Sequence, residues 1–161
     1  MTDSSVLISY DDGEPPSSLI LDEEQITHLI FNVLKARHHI GWEVSLFFAS
    51  EERIKELNLQ YRNTPSSTDV LSFLMGEEYT NENGEVRYNA GDIVICLTKV
   101  CDNAIGFDVT ANEELKRVII HSILHLEGMD HATNDHDEPM LLLQEEILSH
   151  VSELEIAKER K

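Results

Sequence analysis

The segment from Thr110 to Leu126 constrains the fold most, because it predicts a helix that is apolar on nearly every side. Thr110 and Glu113 have the spacing of a capping box, in which two side chains satisfy the first unpaired amide groups of a helix. The helix then carries a series of large aliphatic residues: Leu115, Val118, Ile119, Ile120, Ile123, Leu124 and Leu126. A helix that lacks a polar face is normally buried. The rest of the chain is therefore expected to pack around this segment.

Two histidines interrupt the apolar helix four residues apart. His121 and His125 therefore lie on one helical face, where both rings can reach one ion. Gly128 can adopt the left-handed conformation that ends a helix, and His131 follows the resulting turn. Three protein ligands leave a coordination position open for water, which is typical of catalytic sites. We therefore predict a metal site at His121, His125 and His131, with Zn²⁺ as the expected ion and another divalent transition metal as the alternative.

The same histidine spacing is typical of metzincin proteases, which carry a glutamate directly after the first histidine as the general base. Ser122 occupies that position here, so peptide hydrolysis by that mechanism is disfavoured. Glu127 could act as a base only if the turn after the helix directs it inward, and a solvated carboxylate at the helix end is the simpler prediction. Asp130 is a candidate to orient a ligand ring.

The remaining segments alternate between helical and strand patterns. Strands are predicted at Val6–Tyr10, Val44–Phe48, Val70–Leu74 and Ile93–Leu97, and an acidic loop at Glu77–Asn89. Further helices are predicted from Asp22 onward, at Ser50–Tyr61, at Thr98–Ile105 and from about Asp137 onward. Residues 1–161 are therefore expected to form a single α/β (α+β) domain, in which helices cover a small mixed sheet of about four strands and the metal site lies on the buried helix.

The charge of the chain limits its partners. It has 31 acidic and 12 basic side chains, for a formal net charge of −19, so it is not expected to bind nucleic acid or an anionic membrane non-specifically. Cys96 and Cys101 are too few for a disulfide framework. No apolar segment approaches the roughly 18 residues of a membrane span, and the N-terminus lacks the basic region of a secretory signal. We therefore expect a cytoplasmic protein with no membrane partner.

Three blocks of the sequence together resemble a known family. The histidine block comprises His121, Leu124, His125, Leu126, Gly128, Asp130 and His131. The second block comprises Leu57-Asn58, Tyr61-Arg62 and Thr68-Asp69-Val70-Leu71-Ser72-Phe73, and the third is Gly91-Asp92-Ile93-Val94-Ile95. These blocks resemble the YbeY family of bacterial endoribonucleases and ribosomal RNA maturation factors. Ser122, Met129 and Gln144 depart from the family pattern, in which glycine, tyrosine and glutamate are usual, but no ligand position is lost.

The resemblance implies a single-strand-directed, metal-dependent endoribonuclease that acts in ribosomal RNA maturation, at the 3′ end of 16S rRNA, and in ribosome quality control. It also implies that His121, His125 and His131 hold the metal, usually zinc, and that Arg62 is needed for activity. Ribosomal RNA and the small ribosomal subunit with its proteins are the implied partners, and DNA is not. Because the chain has few basic residues, RNA binding is expected at a local patch with candidates Lys35, Arg37, Arg53, Lys55 and Arg62.

The implied chemistry agrees with the residue types. A metal ion activates water or the RNA 2′-hydroxyl, and a guanidinium can contact two phosphate oxygens. We therefore predict Arg62 and His125 as catalytic residues, and Arg62, Thr68, Asp69 and Ser72 as substrate-binding residues. The alternatives are a surface ion pair for Arg62 and strand capping for Thr68 and Asp69. The alternative functions are a non-catalytic ribosome assembly factor with a structural metal, and a general zinc hydrolase.

Overall fold

The computed structural model describes residues 3–13 and 19–160 of the chain. The strands within these residues are β1 (Ser5–Tyr10), β2 (Leu19–Leu21), β3 (Trp42–Phe48), β4 (Val70–Thr80), β5 (Val86–Ile95) and β6 (Ala157–Glu159). The helices are α1 (Glu23–Ala36), α2 (Glu51–Arg62), α3 (Leu97–Phe107), α4 (Ala111–Leu126) and α5 (Pro139–His150). No helix in this part of the chain is both long enough and apolar enough to cross a membrane.

A mixed sheet of four strands, in the order β1-β3-β5-β4, forms the framework. The strands β1, β3 and β5 run parallel to one another, whereas β4 runs antiparallel to β5 and lies at one edge. The parallel neighbours β1 and β3 are joined through α1, as parallel pairs require a crossover connection. The predicted α+β domain, with helices covering a mixed sheet of about four strands, is confirmed.

The helix α4 lies at the centre of the core, as its apolar sequence predicted. Thr110 caps its first turn, because the Thr110 hydroxyl oxygen accepts a hydrogen bond from the Glu113 amide at 3.0 Å. The helix contacts α1, α3 and α5 on its flanks and the strands β4, β5 and β6. Its fully buried apolar side chains are Leu115, Ile119, Ile120, Ile123 and Leu124. Residues on α4 are therefore held by a core that surrounds the helix, which gives the histidines a rigid base.

The predicted acidic loop at Glu77–Asn89 is wrong over most of its length. Instead, β4 and β5 continue as a hairpin in which Glu77 pairs with Asn89 and Thr80 with Val86, and only residues 81–85 form the turn. The side chains of β4 beyond Phe73 are exposed, so this half of the strand carries none of the alternation that a half-buried strand shows. The two-stranded antiparallel sheet of β2 and β6 was also not predicted, because strands of three residues are too short to show an alternation of apolar and polar side chains.

Gly91 allows β5 to approach both the edge strand β4 and the end of α4. It lies on β5 opposite Leu74, with a φ of 144°, which favours glycine. A Cβ at this position would overlap the Phe73 carbonyl oxygen and press on the Leu126 side chain. Glycine therefore sets the close packing of β5 between β4 and the end of α4, beside the histidines.

Candidate metal centre

The end of α4 turns the chain back toward its own histidines. Gly128 has a φ of 101°, and its amide donates to the His125 carbonyl at 2.9 Å. The next amide, that of Met129, donates to the Leu124 carbonyl at 3.0 Å. This pair of hydrogen bonds is a Schellman motif, the helix end that the glycine predicted. The turn brings the His131 ring to a centroid distance of 5.3 Å from the His121 ring.

The three imidazole rings form a cluster with the dimensions of a metal site. The centroids of the His121 and His125 rings are 4.5 Å apart, and one nitrogen from each of the three rings lies within 4.8 Å of the others. The Nε2 atoms of His121 and His125 are 2.9 Å apart. Two nitrogens bound tetrahedrally to one zinc ion at about 2.0–2.1 Å would be roughly 3.3 Å apart. The donor set thus fits one ion with small adjustments of the side chains.

The opposite nitrogen of each ring faces an oxygen atom. His125 Nδ1 lies 3.0 Å from the Met129 carbonyl oxygen, and His131 Nδ1 lies 2.8 Å from the Thr133 carbonyl oxygen. A carbonyl oxygen only accepts hydrogen bonds, so each of these Nδ1 atoms carries the proton. The Nε2 atoms then keep the lone pairs that metal coordination requires.

The environment of His121 favours the neutral ring. Burial lowers the pKa of His121, and the neighbouring His125 and His131 lower it further. A hydrogen bond with Gln144 and the charge of Asp69 act in the opposite direction but do not outweigh burial. A histidine must be neutral to ligate a metal, so burial keeps His121 in the form that a ligand needs.

A cavity of about 480 Å³ opens beside His121 and His125. Its lining residues are Arg62, Asp69, Val70, Leu71, Ser72, Leu74, His121, His125 and Leu126. Three of the predicted substrate-binding residues, Arg62, Asp69 and Ser72, therefore line the same cavity as His121 and His125. The predicted residues Thr68 and His131 are not among the lining residues. Larger cavities lie elsewhere, such as one of about 830 Å³ bordered by Asp22 and Glu159. The chemistry of the lining, rather than size, distinguishes the smaller cavity.

Arg62 ends α2 and reaches across to the edge strand. Its Nη2 donates to the Ser72 carbonyl oxygen at 2.6 Å, and its guanidinium carbon lies 5.2 Å from the centre of the Phe73 ring. Within residues 3–13 and 19–160 the structure contains no ion pair of Arg62, so the predicted alternative of a surface ion pair is not what is found there. The contact with Ser72 and the stacking on Phe73 hold the guanidinium beside the cavity.

Glu127 is neither a solvated carboxylate nor a group directed at the cluster of His121, His125 and His131. Its carboxylate accepts hydrogen bonds from Arg37 at 2.6 and 2.9 Å and lies 2.7 Å from His39 Nε2, and its side chain is only 12% exposed. Asp130 also differs from its predicted role, because its Oδ1 accepts a hydrogen bond from the His131 amide and thus orients backbone rather than a ring. Neither carboxylate is positioned as a base for the cavity.

Gln144 departs from the family pattern in the sequence, but its contact with His121 was not predicted. It lies on α5, is 6% exposed, and its Oε1 is 2.5 Å from His121 Nδ1. The helical spacing of the apolar residues in α5 could have indicated this contact, because position 144 lies on the same buried face as Met140 and Ile147. A polar side chain on such a face needs a hydrogen-bond partner. Ser122, by contrast, is buried and donates to the Val118 carbonyl at 2.9 Å.

Comparison with known proteins agrees with the resemblance seen in the sequence. The family model described as "Endoribonuclease YbeY" matches residues 14–152. A Treponema denticola protein named Endoribonuclease YbeY is 47% identical over 153 residues, which cover 95% of this chain and 97% of that protein. A Borreliella burgdorferi protein of the same name is 39% identical over 144 residues, which cover 81% and 92% of the two chains.

The fold comparison points the same way. A solution structure of a Thermotoga maritima protein matches with a TM-score of 0.58 and 29% identity, covering 91% of this chain and 89% of that one. Sequence and fold agree over most of the chain, and both the family model and the relatives span the histidine cluster. The chain therefore belongs to the YbeY endoribonuclease family.

Proposed function

We propose that this protein is a metal-dependent endoribonuclease that cleaves single-stranded RNA in the maturation of ribosomal RNA. The observation that carries the proposal is the convergence of three histidine nitrogens beside a cavity that Arg62 also lines. Membership of the YbeY family supports it, since the relatives carry the name of an endoribonuclease. We also propose that residues 1–161 form one domain of this kind, of which the family match covers 14–152.

The metal ion is proposed to bind the Nε2 atoms of His121, His125 and His131. Zinc is the first choice for an all-imidazole donor set, and another divalent transition metal is the alternative. When bound, the ion supplies a positive charge beside the phosphodiester and makes a nearby water molecule or hydroxyl group more acidic. Burial keeps the His121 ring neutral, and the carbonyl acceptors at Nδ1 orient the rings of His125 and His131.

Arg62 is proposed to bind the phosphate that is cleaved. A guanidinium has five N–H donors in a planar fork that matches two phosphate oxygens. The contact with the Ser72 carbonyl uses one Nη2 donor, and the stacking on Phe73 restricts the plane of the fork. The remaining donors can then meet the substrate at low entropic cost, because the side chain is already oriented.

Asp69 is proposed to contact ribose hydroxyl groups rather than phosphate. Its carboxylate accepts hydrogen bonds from Asn103 Nδ2 at 3.2 Å and from Thr68 Oγ1 at 3.3 Å, and it lines the cavity. A carboxylate repels a phosphate but accepts a hydrogen bond from a hydroxyl, and the 2′-hydroxyl distinguishes RNA from DNA. Ser72 lines the same cavity beside it, and Thr68 supports Asp69 from outside the lining.

Substrate selection is proposed to depend on the small ribosomal subunit and its proteins, in the cytoplasm. The chain has a net charge of −19, and two of its five candidate RNA-binding residues already meet carboxylates. Arg37 is paired with Glu127 at 2.6 Å, and Arg53 lies 3.9 Å from both Asp11 and Glu56. Few positive charges are left to neutralise phosphates, so a partner that presents the RNA would supply the missing affinity.

The test is cleavage of an end-labelled, unpaired RNA oligonucleotide by the metal-loaded protein, with the same sequence as a duplex and as DNA in parallel. We expect cleavage of the unpaired RNA alone, and loss of cleavage with a chelator. His125→Ala should abolish cleavage, and Arg62→Ala should reduce its rate by about 10²-fold or more, as for other charge-stabilising donors. Lys158→Ala removes one positive charge on β6 and serves as the control.

Two results would contradict the proposal. Equal residual cleavage by the native protein and by His125→Ala would point to a contaminating nuclease and favour the assembly factor with a structural metal. Cleavage of duplex and unpaired RNA at equal rates would contradict the assignment of single-stranded substrate. Circular dichroism of each variant checks that the fold is intact.

A further inference from the structure

We infer that Arg117, Glu145 and Gln144 form a chain of hydrogen bonds that fixes the proton of His121 on Nδ1 and thereby directs its Nε2 toward the metal. We call this chain the α4–α5 relay, since Arg117 and His121 belong to α4 and Gln144 and Glu145 to α5. These are positioning residues, because they act on the metal only through His121. The inference rests on the proposed metal site and explains how one of its ligands is prepared.

The first step is the contact between His121 and Gln144. His121 Nδ1 lies 2.5 Å from Gln144 Oε1, and Gln144 is almost fully buried. A neutral imidazole nitrogen can donate or accept, and a side-chain amide can present either its oxygen or its NH₂ group. The contact alone therefore leaves two arrangements, in which the proton of the ring lies on opposite nitrogens. Only one of them leaves a lone pair at Nε2.

The second step is the neighbour of the amide, which decides between these arrangements. Gln144 Nε2 donates to Glu145 Oε2 at 3.0 Å. An ionised carboxylate only accepts hydrogen bonds, so a reversed amide would place two acceptor oxygens against each other. The amide oxygen must therefore face His121, and His121 must donate from Nδ1. Its Nε2 is left with a lone pair, as is Nε2 of His125, so the 2.9 Å between these two atoms is an approach of two ligand nitrogens and not a hydrogen bond.

The third step is the charge of Glu145. Arg117 holds this carboxylate with two hydrogen bonds, from Nε at 2.9 Å and from Nη2 at 3.1 Å. Burial raises the pKa of Glu145, but the hydrogen bonds from Arg117 and Gln144 and the charge of Arg117 together lower it by more. Glu145 is therefore a carboxylate at neutral pH. Arg117 itself is anchored by Glu113 and Glu114 on its own helix.

The relay makes His121 unlike the other two histidines. His125 and His131 each face a backbone carbonyl oxygen, which no substitution of a side chain removes. His121 depends on a side-chain acceptor, and this acceptor is neutral. A carboxylate in the same place would draw the Nδ1 proton more strongly and make Nε2 a more basic ligand. Position 144 therefore controls both the tautomer of His121 and its strength as a ligand.

The direct test is nitrogen-15 NMR of the His121 ring in the metal-free protein, at a pH where the ring is neutral. The wild-type ring is expected to carry its proton on Nδ1. Gln144→Leu removes the acceptor and Glu145→Gln removes the charge that orients the amide, so both should shift the ring toward a mixture of tautomers. Glu146→Gln, an exposed position one residue further along α5, is the matched control and should leave the tautomer as in wild type.

The second readout is metal affinity, measured by competition between the protein and a chromogenic zinc chelator. Gln144→Leu is expected to weaken zinc binding by about 10–100-fold, as for other supporting groups of histidine ligands. Gln144→Glu should bind zinc at least as tightly as wild type, since it restores an acceptor and adds charge. A merely structural role of Gln144 would make both substitutions act in the same direction.

The outcomes separate the relay from the proposed function. A wild-type ring protonated on Nε2, or an unchanged tautomer in both Gln144→Leu and Glu145→Gln, would overturn the relay even if zinc binds. If the tautomer shifts as expected but the wild-type protein binds no zinc or other divalent transition metal, the relay is supported and the proposed metal site is overturned. Glu145→Gln keeps the inference testable if the buried Gln144→Leu does not fold.

Discussion

The Glu127 carboxylate accepts hydrogen bonds from Nε and Nη2 of Arg37 at 2.9 and 2.6 Å, and this pair joins the C-terminal caps of α4 and α1. His39 adds a third contact to the carboxylate at 2.7 Å, and its ring is stacked on Trp42 at a centroid distance of 4.0 Å. The pair holds the turn that carries the chain from His125 to His131. A carboxylate that lies between His125 and His131 in the sequence thus has a structural role.

This role predicts that Glu127→Gln lowers stability but leaves RNA cleavage within a few-fold of wild type. The substitution leaves the half-buried Arg37 guanidinium without a charged carboxylate to accept its hydrogen bonds. This should lower the free energy of unfolding by about 1–3 kcal/mol. Urea unfolding measures the first quantity, and cleavage of unpaired RNA by folded, metal-saturated protein measures the second. A rate loss of about 10³-fold or more would instead identify Glu127 as a general base.

Arg117→Met should destabilise the protein at neutral pH, and the deficit should shrink as the pH falls. Burial raises the pKa of Glu114, and Arg117 is the group that opposes this shift most strongly. Without Arg117, Glu114 is a buried charge that lacks its partner, at a cost of about 3 kcal/mol. The pKa of Glu114 is then higher in the folded variant than in the unfolded chain. Between these two pKa values the folded state binds the proton and the unfolded state does not, so lowering the pH stabilises the folded variant.

The measurement for Arg117→Met is urea unfolding at about pH 7 and about pH 5, the range over which a carboxyl with a raised pKa takes up its proton. The double variant Glu114→Gln with Arg117→Met is the control, because it lacks the titrating group and should show a deficit that varies less with pH. A deficit that is the same at both pH values in the single variant would exclude Glu114 as its source.

Gly91→Ala is expected to lower the unfolding free energy by about 3 kcal/mol or more. The added Cβ would overlap the Phe73 carbonyl oxygen, and alanine would have to adopt a φ of 144°. Gly106→Ala is a matched control in α3, where a Cβ meets open space. There the same substitution should stabilise the protein by roughly 0.5–1 kcal/mol, since alanine is the better helix former. Similar effects at both glycines would contradict this account of the strand packing.

The sequence predicted those parts of the molecule that depend on near neighbours along the chain. Thr110 and Glu113 cap α4, and the spacing of His121, His125 and Gly128 predicts one shared face and a reversing turn. The partners of Glu127 could not be predicted in this way, because Arg37 is 90 positions away and meets it only when two helix ends are packed together. Gln144 is similar, since its place beside His121 depends on how α5 lies against α4.

Arg62→Ala should make RNA binding less dependent on salt. The slope of log K against log salt concentration should become shallower by about 0.7, which is the contribution of one phosphate contact on a single strand. Arg53→Ala on the same helix should change the slope by less, because Arg53 already lies near the carboxylates of Asp11 and Glu56. Fluorescence anisotropy with labelled RNA in the presence of a chelator avoids cleavage during the titration. An equal change of slope for both variants would contradict the phosphate contact proposed for Arg62.

Removal of the metal is expected to lower the stability of the protein without unfolding it. The helix that carries His121 and His125 is fixed by fully buried neighbours such as Ile119 and Ile123, which pack independently of an ion. Free zinc at a concentration 100 times its dissociation constant should raise the free energy of unfolding by about 2.7 kcal/mol. Thermal unfolding with chelator and after addition of zinc measures this difference, and His131→Ala should greatly reduce it. If the protein unfolds in chelator alone, as zinc fingers do, the ion is structural and the assembly-factor alternative is favoured.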